Sequence, residues 1–121
     1  KNKKINLNLL NINIIYFDFD RSSIKTSERS KLDAIAKILK SKPETKIQIE
    51  GHCDERGTEE YNRALGERRA LAAREYLIRS GISADRIFTI SYGEDKPADP
   101  GHNEEAWAKN RRDEFILLLP K

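Results

Sequence analysis

Short runs of alternating hydrophobic and polar residues predict four β-strands. Near the N-terminus the alternation changes phase more than once, and it predicts a strand over about residues 9–17 with a loose tail before it. Thr45–Gly51 alternates isoleucine with polar residues, which is typical of a strand with one face in water. Ile87–Tyr92 and Arg112–Leu119 are the third and fourth predicted strands.

Hydrophobic residues at helical spacing predict three helices between these strands. The first begins near residues 26–28 and ends before Pro43, whose ring cannot continue a helix. The second is Glu59–Ser80, followed by Gly81 as a natural C-terminal cap. Its apolar side is expected to consist of Tyr61, Leu65, Ala72, Tyr76 and Leu77. A short third helix is expected over residues 103–110, after a capping asparagine.

The predicted elements follow the order β-α-β-α-β-(α)-β without an internal repeat. This alternation predicts the α+β class, as an α/β sandwich with helices on one face of a four-stranded mixed sheet. The length of 121 residues fits one domain. We expect residues 1–13 to form an N-terminal tail or linker and residues 14–121 to form that domain.

Composition excludes several classes of protein. Hydrophobic residues make up 37% of the chain, and no apolar run approaches the roughly 20 residues of a membrane-spanning helix. The 23 basic and 20 acidic residues give a net charge of +3, and the basic residues form no stripe with aromatic residues between them. Nucleic acid is therefore not an expected partner. The lone Cys53 excludes an internal disulfide.

The residues that could support catalysis or metal binding are few. His52 and Cys53 are adjacent, and neighbours in an extended segment point to opposite sides, so a Cys–His dyad is not expected. A set made of His52, Cys53, Asp54 and His102 lacks the spaced pairs of zinc proteins. The sequence therefore predicts a protein that is not an enzyme, with no metal and no cofactor.

The loop after the second strand holds the most informative group of residues. Asp54 follows the strand end, and Arg69 lies about three turns into the next helix, on the side shared by Asn62 and Leu65. A carboxylate and a guanidinium held near one another can bind a zwitterion. In the alternative reading Asp54 caps the helix or loop, and Arg69 pairs with Glu55 or another nearby acid.

The same loop and helix carry a family resemblance. Residues 51–70, GHCDERGTEEYNRALGERRA, resemble the signature of OmpA-like peptidoglycan-binding domains, and more narrowly of the peptidoglycan-associated lipoproteins within that family. Residues 16–20 (YFDFD), 91–97 (SYGEDKP) and 101–112 (GHNEEAWAKNRR) support the resemblance. These segments occur in the family's order, and the match covers about residues 14–119.

The resemblance implies noncovalent binding of the stem peptide of peptidoglycan, chiefly its diaminopimelate residue. Asp54 would bind the ammonium and Arg69 the carboxylate at the free end of that side chain. Asn62 and Leu65 would line the same pocket.

Three further residues match ligand-contacting segments of the family. Phe19 and Asp20 follow the first strand, in a segment that contacts the ligand partly through its backbone. Arg111 would face the site from the last strand. Its alternative role is an ion pair with Glu104 or Glu105.

The resemblance also implies a place in the bacterial envelope. The domain would tether the outer membrane to peptidoglycan from its periplasmic face, as part of a Tol–Pal-type system of a diderm bacterium. The lipid-accepting cysteine, and with it the outer-membrane anchor, is expected upstream of Lys1. TolB is the expected protein partner, and a TolB-docking module or the C-terminal domain of an OmpA-type or MotB-type protein are the alternatives. Cys53 stands where the family more often has a small or hydroxyl residue, and it is expected to pack inward.

Overall fold

The computed structural model describes residues 7–120, which form seven regular elements. These are β1 (Ile14–Tyr16), α1 (Arg29–Ser41), β2 (Lys46–His52), α2 (Glu59–Arg79), β3 (Ile87–Gly93), α3 (Glu104–Asn110) and β4 (Arg112–Leu118). Single 3-10 turns precede α1 and β3. The predicted element order and fold class are confirmed. No helix within the described range is long and apolar enough to cross a membrane.

The sheet is mixed, with the strand order β1-β4-β2-β3. β2 runs parallel to β3 and antiparallel to β4, and β1 pairs antiparallel with β4. In this register Gly51 lies opposite Asp113 on β4 and Ser91 on β3. Alternate residues of each strand point to opposite faces, so one face packs against the helices and the other stays open.

The hydrophobic core lies between the sheet and helices α1 and α2. Its buried side chains include Ile15, Ile47, Ile49, Ile87 and Phe115 from the strands and Leu32, Ile35, Leu39, Ala70, Ala73 and Leu77 from the helices. Burial of this apolar surface is the main term that stabilises the fold. It also fixes which face of α2 approaches β2.

The first strand is shorter than the alternation predicts. The predicted strand over residues 9–17 is wrong at its start, because only Ile14–Tyr16 pair with β4. Before them the backbone turns: the amide of Ile12 donates to the carbonyl of Leu7, and Asn11 adopts a positive φ of 58°. Leu7 is buried in the core. Residues 1–6 of the predicted tail lie outside the described residues, and the boundary after residue 13 stays a prediction.

The predicted apolar side of helix α2 is confirmed at Leu65 and Leu77, which are buried, and is wrong at one end. Tyr61 is 44% exposed, so its place on the predicted apolar side is wrong. The buried residues are Asn62, Leu65, Gly66, Arg69, Ala70, Ala73 and Leu77. Asn62 and Arg69 are polar, which is why hydrophobic periodicity alone did not place them on the buried face. Both point toward the end of β2, where the candidate site lies.

The predicted caps at Asn103 and Gly81 are present, and Thr58 is a further cap that was not predicted from the sequence. The side chain of Thr58 accepts a hydrogen bond from the amide of Tyr61 at the start of α2, and Asn103 does the same for Ala106 at the start of α3. Gly81 follows α2 with a φ of +106°, a conformation that favours glycine. The caps therefore fix where each helix begins or ends relative to the loops of the site.

Candidate ligand-binding site

A cavity of about 250 Å³ lies where the end of β2 meets the start of α2 and the segment after β1. Its lining consists of Phe19, Asp20, Cys53, Asp54, Arg56, Gly57, Tyr61, Asn62, Leu65 and Arg69. Every residue that the sequence proposed for the site is in this lining except Arg111. The structure adds Arg56 and Tyr61, which sequence reasoning missed.

Two glycines bring α2 against β2 at this point. A Cβ atom on Gly51 would lie 1.8 Å from the carbonyl oxygen of Gly66, so no larger residue fits there without a backbone shift. A Cβ on Gly66 would lie 2.3 Å from the hydroxyl of Ser91. The close approach places Asn62 and Arg69, on either side of Gly66, beside the loop that follows β2.

Asp54 is buried, and its carboxylate forms an ion pair with the guanidinium of Arg56. Its Oδ1 accepts from the amide and Nε of Arg56 at 2.9 and 3.1 Å, and its Oδ2 accepts from Nη2 of the same guanidinium at 2.9 Å. The bond to the amide two residues on is the loop-capping role given above as the alternative reading. Because of this pairing, the pKa of Arg56 is raised.

Arg56 is in turn held between two aromatic rings. Its Cζ lies 3.9 Å from the ring centroid of Phe19 and 4.1 Å from that of Trp107, a geometry that favours a cation. Trp107 Nε1 donates to Glu55, and this bond together with His102 lowers the pKa of that carboxyl. Loop and α3 are thereby joined at the rim of the cavity. The sequence signal was the short spacing of Asp54 and Arg56 in one loop.

Arg69 is the largest fully buried side chain of the described chain and is 1% exposed. Its guanidinium donates to three backbone carbonyls, those of Arg21 and His52 at 2.8 Å and that of Asp18 at 3.2 Å. The predicted alternative of a pair with Glu55 is wrong, because Glu55 binds His102 and Trp107 instead. Burial lowers the pKa of Arg69, yet a guanidinium remains charged in proteins.

Asn62 fixes the shape of the loop rather than standing free in the cavity. Its amide nitrogen donates to the carbonyls of Asp54 and Arg56 and to a carboxylate oxygen of Glu94. The backbone carbonyl of Asn62 accepts a hydrogen bond from the thiol of Cys53 at 3.1 Å. Cys53 packs inward, as predicted, and burial raises the pKa of this thiol to about 11. Such a thiol stays protonated and unreactive at neutral pH.

The outer rim of the cavity is more exposed. Phe19 and Asp20 are both exposed, and Asp20 has a positive φ of 60°, which aspartate tolerates better than most residues. The hydroxyl of Tyr61 donates to a carboxylate oxygen of Asp20, and this bond raises the pKa of the tyrosine. The rim therefore combines aromatic rings with acidic and basic groups.

Arg111 is not among the residues that line the cavity. It follows α3 and precedes β4, so its predicted place on the last strand is wrong. Its Nε donates to the carbonyl of Phe17, and its Nη2 pairs with Glu104 at 3.2 Å, as the alternative reading expected. Its Nη1 lies 3.9 Å from Asp54 Oδ2. Arg111 thus lies close to the buried carboxylate of Asp54 while it bonds to Phe17 and Glu104.

The four residues considered above as a metal set do not converge. His52 ends β2 on the open face, where its ring stacks on Tyr92, while Cys53 and Asp54 line the cavity. His102 is exposed and contacts Glu55. Burial lowers the pKa of His52 to about 4, with Arg112 adding to the effect, so its imidazole is neutral at neutral pH.

Fold and site together define a small α+β domain with one buried carboxylate and one buried guanidinium on a small cavity. The model of the OmpA family matches residues 16–111, and the chain belongs to that family. Among its relatives are peptidoglycan-associated lipoproteins of Pasteurella multocida and Pseudomonas aeruginosa. The first is 51% identical over 83% of this chain, and the second 47% identical over 86%.

The relatives are longer than this chain, which spans 67% and 61% of their lengths. Their names describe association with a polymer and no reaction, in agreement with the prediction that this chain is not an enzyme. Among solved structures, the peptidoglycan-associated lipoprotein from Burkholderia pseudomallei superposes with a TM-score of 0.86 at 42% identity, covering 88% of this chain and 90% of that one. The OmpA-like domain of FopA1 from Francisella tularensis, at 18% identity and a TM-score of 0.74, shares the fold.

Proposed function

We propose that this chain binds peptidoglycan noncovalently through the diaminopimelate residue of its stem peptide, and so tethers the outer membrane to the cell wall. The observation that carries the proposal is that Asp54 and Arg69, buried and opposite in charge, line one small cavity. The resemblance of residues 51–70 to OmpA-like domains and the names of the relatives support it.

The free end of a diaminopimelate side chain is a zwitterion. Its ammonium contacts Asp54, and its carboxylate contacts N–H groups of Arg69 beyond the three that bind backbone carbonyls. The cavity of about 250 Å³ suits the end of one amino acid and is too small for a whole muropeptide. The rest of the stem peptide and the glycan lie outside it.

The other predicted residues have supporting roles in this proposal. Leu65 supplies an apolar wall for the methylene groups of the ligand, and Asn62 holds the loop that presents Asp54. Phe19 and Asp20 contact the stem peptide at the rim. Arg111, whose Nη1 lies 3.9 Å from Asp54 Oδ2, adds positive charge beside that carboxylate.

Sedimentation with purified sacculi tests the carboxylate. Asp54→Asn keeps the shape of the side chain but leaves the ligand ammonium without its counter-charge, and we expect affinity to fall by about 30-fold or more. Asp85→Asn, an exposed aspartate remote from the cavity, is the matched control and should sediment like the wild type. Circular dichroism verifies that both variants are folded. Full sedimentation of folded Asp54→Asn would overturn the assignment.

Ligand specificity tests the guanidinium without a mutation. A soluble muropeptide with lysine in place of diaminopimelate lacks the second carboxylate, so Arg69 loses its ligand partner, and binding should weaken by about tenfold or more. Chemical-shift changes in an NMR titration should cluster at Asp54, Asn62 and Arg69 with the diaminopimelate form only. Equal binding of both forms would contradict the zwitterion pocket.

A second candidate function uses the same rim. The exposed rings of Phe19 and Tyr61 beside the cavity favour contact with a protein surface. By family resemblance this partner is TolB, in a Tol–Pal-type system at the periplasmic face of the outer membrane, with a lipid anchor upstream of this chain. If TolB and muropeptide share the rim, each should displace the other in a competition assay. Simultaneous binding would show separate surfaces.

A further inference from the structure

A second group of polar side chains lies on the open face of the sheet, opposite the cavity. Glu50 and His52 are two residues apart on β2 and share that face. Glu114 on β4 is the cross-strand partner of Glu50. One ligand atom from each of the three lies within 4.8 Å of the others. This cluster is separate from the proposed peptidoglycan site.

His52 is the unusual member of the cluster. The residue is 1% exposed, and neither ring nitrogen has a hydrogen-bond partner among residues 7–120. Its Nε2 lies 3.4 Å from Glu50 Oε1, so the ring faces the carboxylates. A buried polar group without a partner is costly and rare in native proteins. The ring nitrogens of His52 therefore call for a ligand outside residues 7–120.

The two carboxylates are held in place by neighbours that leave one oxygen of each for a ligand. Gln48 donates to Glu50 Oε2 at 3.3 Å, and Arg112 donates to Glu114 Oε2 at 2.6 Å. Such outer contacts orient metal-bound carboxylates in many proteins. Moreover, like charges directly opposite each other on neighbouring strands are destabilising. A cation between Glu50 and Glu114 removes that repulsion.

We propose that Glu50, His52 and Glu114 form a binding site for a divalent transition-metal ion, with Zn²⁺ as the best match. One imidazole nitrogen and two carboxylate oxygens are donors that zinc accepts, and a water completes the usual four ligands. Calcium and magnesium prefer oxygen ligands alone, so the imidazole selects against them. Arg112 offsets part of the negative charge, and for this reason the site binds the ion reversibly.

The test is a zinc titration of the tag-free protein by calorimetry, with no peptidoglycan present. We expect one zinc ion per chain, and the ring ¹⁵N resonances of His52 should shift on binding. Glu114→Gln keeps the size of a half-exposed side chain and should weaken the affinity by about tenfold or more. Glu105→Gln, an exposed acid on α3, is the matched control and should leave the affinity unchanged.

Three results would overturn the proposed zinc site. One is an unchanged zinc affinity in folded Glu114→Gln and Glu50→Gln. Another is binding that His102→Ala abolishes, since the exposed His102 would then be the ligand. No saturable heat with the wild type would also overturn it. None of these outcomes touches the proposed function, because sacculi and muropeptides are absent from the assay.

Discussion

The two faces of the sheet at the end of β2 both bury polar groups, but they satisfy the hydrogen bonds of those groups to different degrees. On the side covered by α2, the loop after Gly51 presents Asp54 to a cavity, and its carboxylate is paired with Arg56. On the open side, His52 is equally buried, but neither nitrogen of its ring has a hydrogen bond within the described chain, and two carboxylates lie beside it. The end of one strand therefore leads to a buried carboxylate that is hydrogen-bonded within the protein and also carries a buried imidazole that is not.

The difference lies in where the hydrogen bonds of buried side chains are made. On the covered side Arg69 and Asn62 donate mainly to backbone carbonyls, so the walls of the cavity are fixed before a ligand arrives. Preorganisation of this kind lowers the ordering cost of binding. On the open side, the ring nitrogens of His52 have no hydrogen-bond partner in the described chain. Three substitutions can break or sharpen this contrast.

The largest effect is expected from Arg69→Ala. Its removal leaves three backbone carbonyls without their donor and opens a void beneath the loops after β1 and β2. We expect the free energy of unfolding to fall by on the order of 4 kcal/mol, measured by urea denaturation. The variant should therefore lose peptidoglycan binding through the fold as well as through the ligand contact.

The neighbouring exposed arginine provides the control. Arg68→Ala should change the free energy of unfolding by no more than about 0.5 kcal/mol. If Arg69→Ala were as stable as Arg68→Ala, the covered side would not depend on its internal contacts, and the contrast between the two sides would fail.

The next largest effect is expected from Gly51→Ala. The added methyl meets the backbone oxygen of Gly66 at 1.8 Å, so α2 must move away from β2. We expect a loss of about 3 kcal/mol in urea denaturation. Gly66→Ala should cost less, since its methyl meets first the side chain of Ser91 and the helix gains from alanine. A reversed order of the two variants would contradict the role assigned to the close approach.

The smallest effect concerns Asp113, the one unpaired acid on the covered side of the described sheet. It is fully buried, both carboxylate oxygens lack a hydrogen bond, and burial raises its pKa well above the usual 3.8, although Arg69 acts in the opposite direction. Below the pKa of the unfolded state, Asp113 is protonated in both the folded and the unfolded state and does not affect the free energy of unfolding through its charge. As pH rises above that value, the unfolded state releases the proton first, and the native state loses stability relative to it.

Asp113→Asn removes this titration. We expect its free energy of unfolding, relative to wild type, to increase by about 1 kcal/mol between about pH 4 and about pH 7. Asp85→Asn, exposed on the other side of the molecule, serves for comparison and should show no such trend. A difference that is constant with pH would mean that Asp113 finds a partner in solution.

Much of the fold could be predicted because local rules and global packing agree. The alternation over Thr45–Gly51, the helical spacing that ends before Gly81 and the cap at Asn103 predict β2, α2 and α3 nearly to the residue. The N-terminal strand could not be bounded in this way. Its alternation continues through residues that turn back, because pairing with β4, and not pattern, decides where β1 begins.

The candidate site was predictable in part and for a different reason. Asp54, Asn62, Leu65 and Arg69 came from one continuous segment with a recognisable pattern, and all line the cavity. Arg56, in the same segment, was missed because its position two residues after Asp54 does not by itself show that the two side chains pair.

By itself the sequence determined the elements, their order, and the loop and helix that carry Asp54 and Arg69, since periodicity and capping are local properties. Only the tertiary structure decided which charges meet. Strand register placed Glu50 opposite Glu114, and the glycine contact between β2 and α2 placed Arg69 beneath the loops. These pairings join residues far apart in the chain, and their geometry depends on packing that no local pattern encodes.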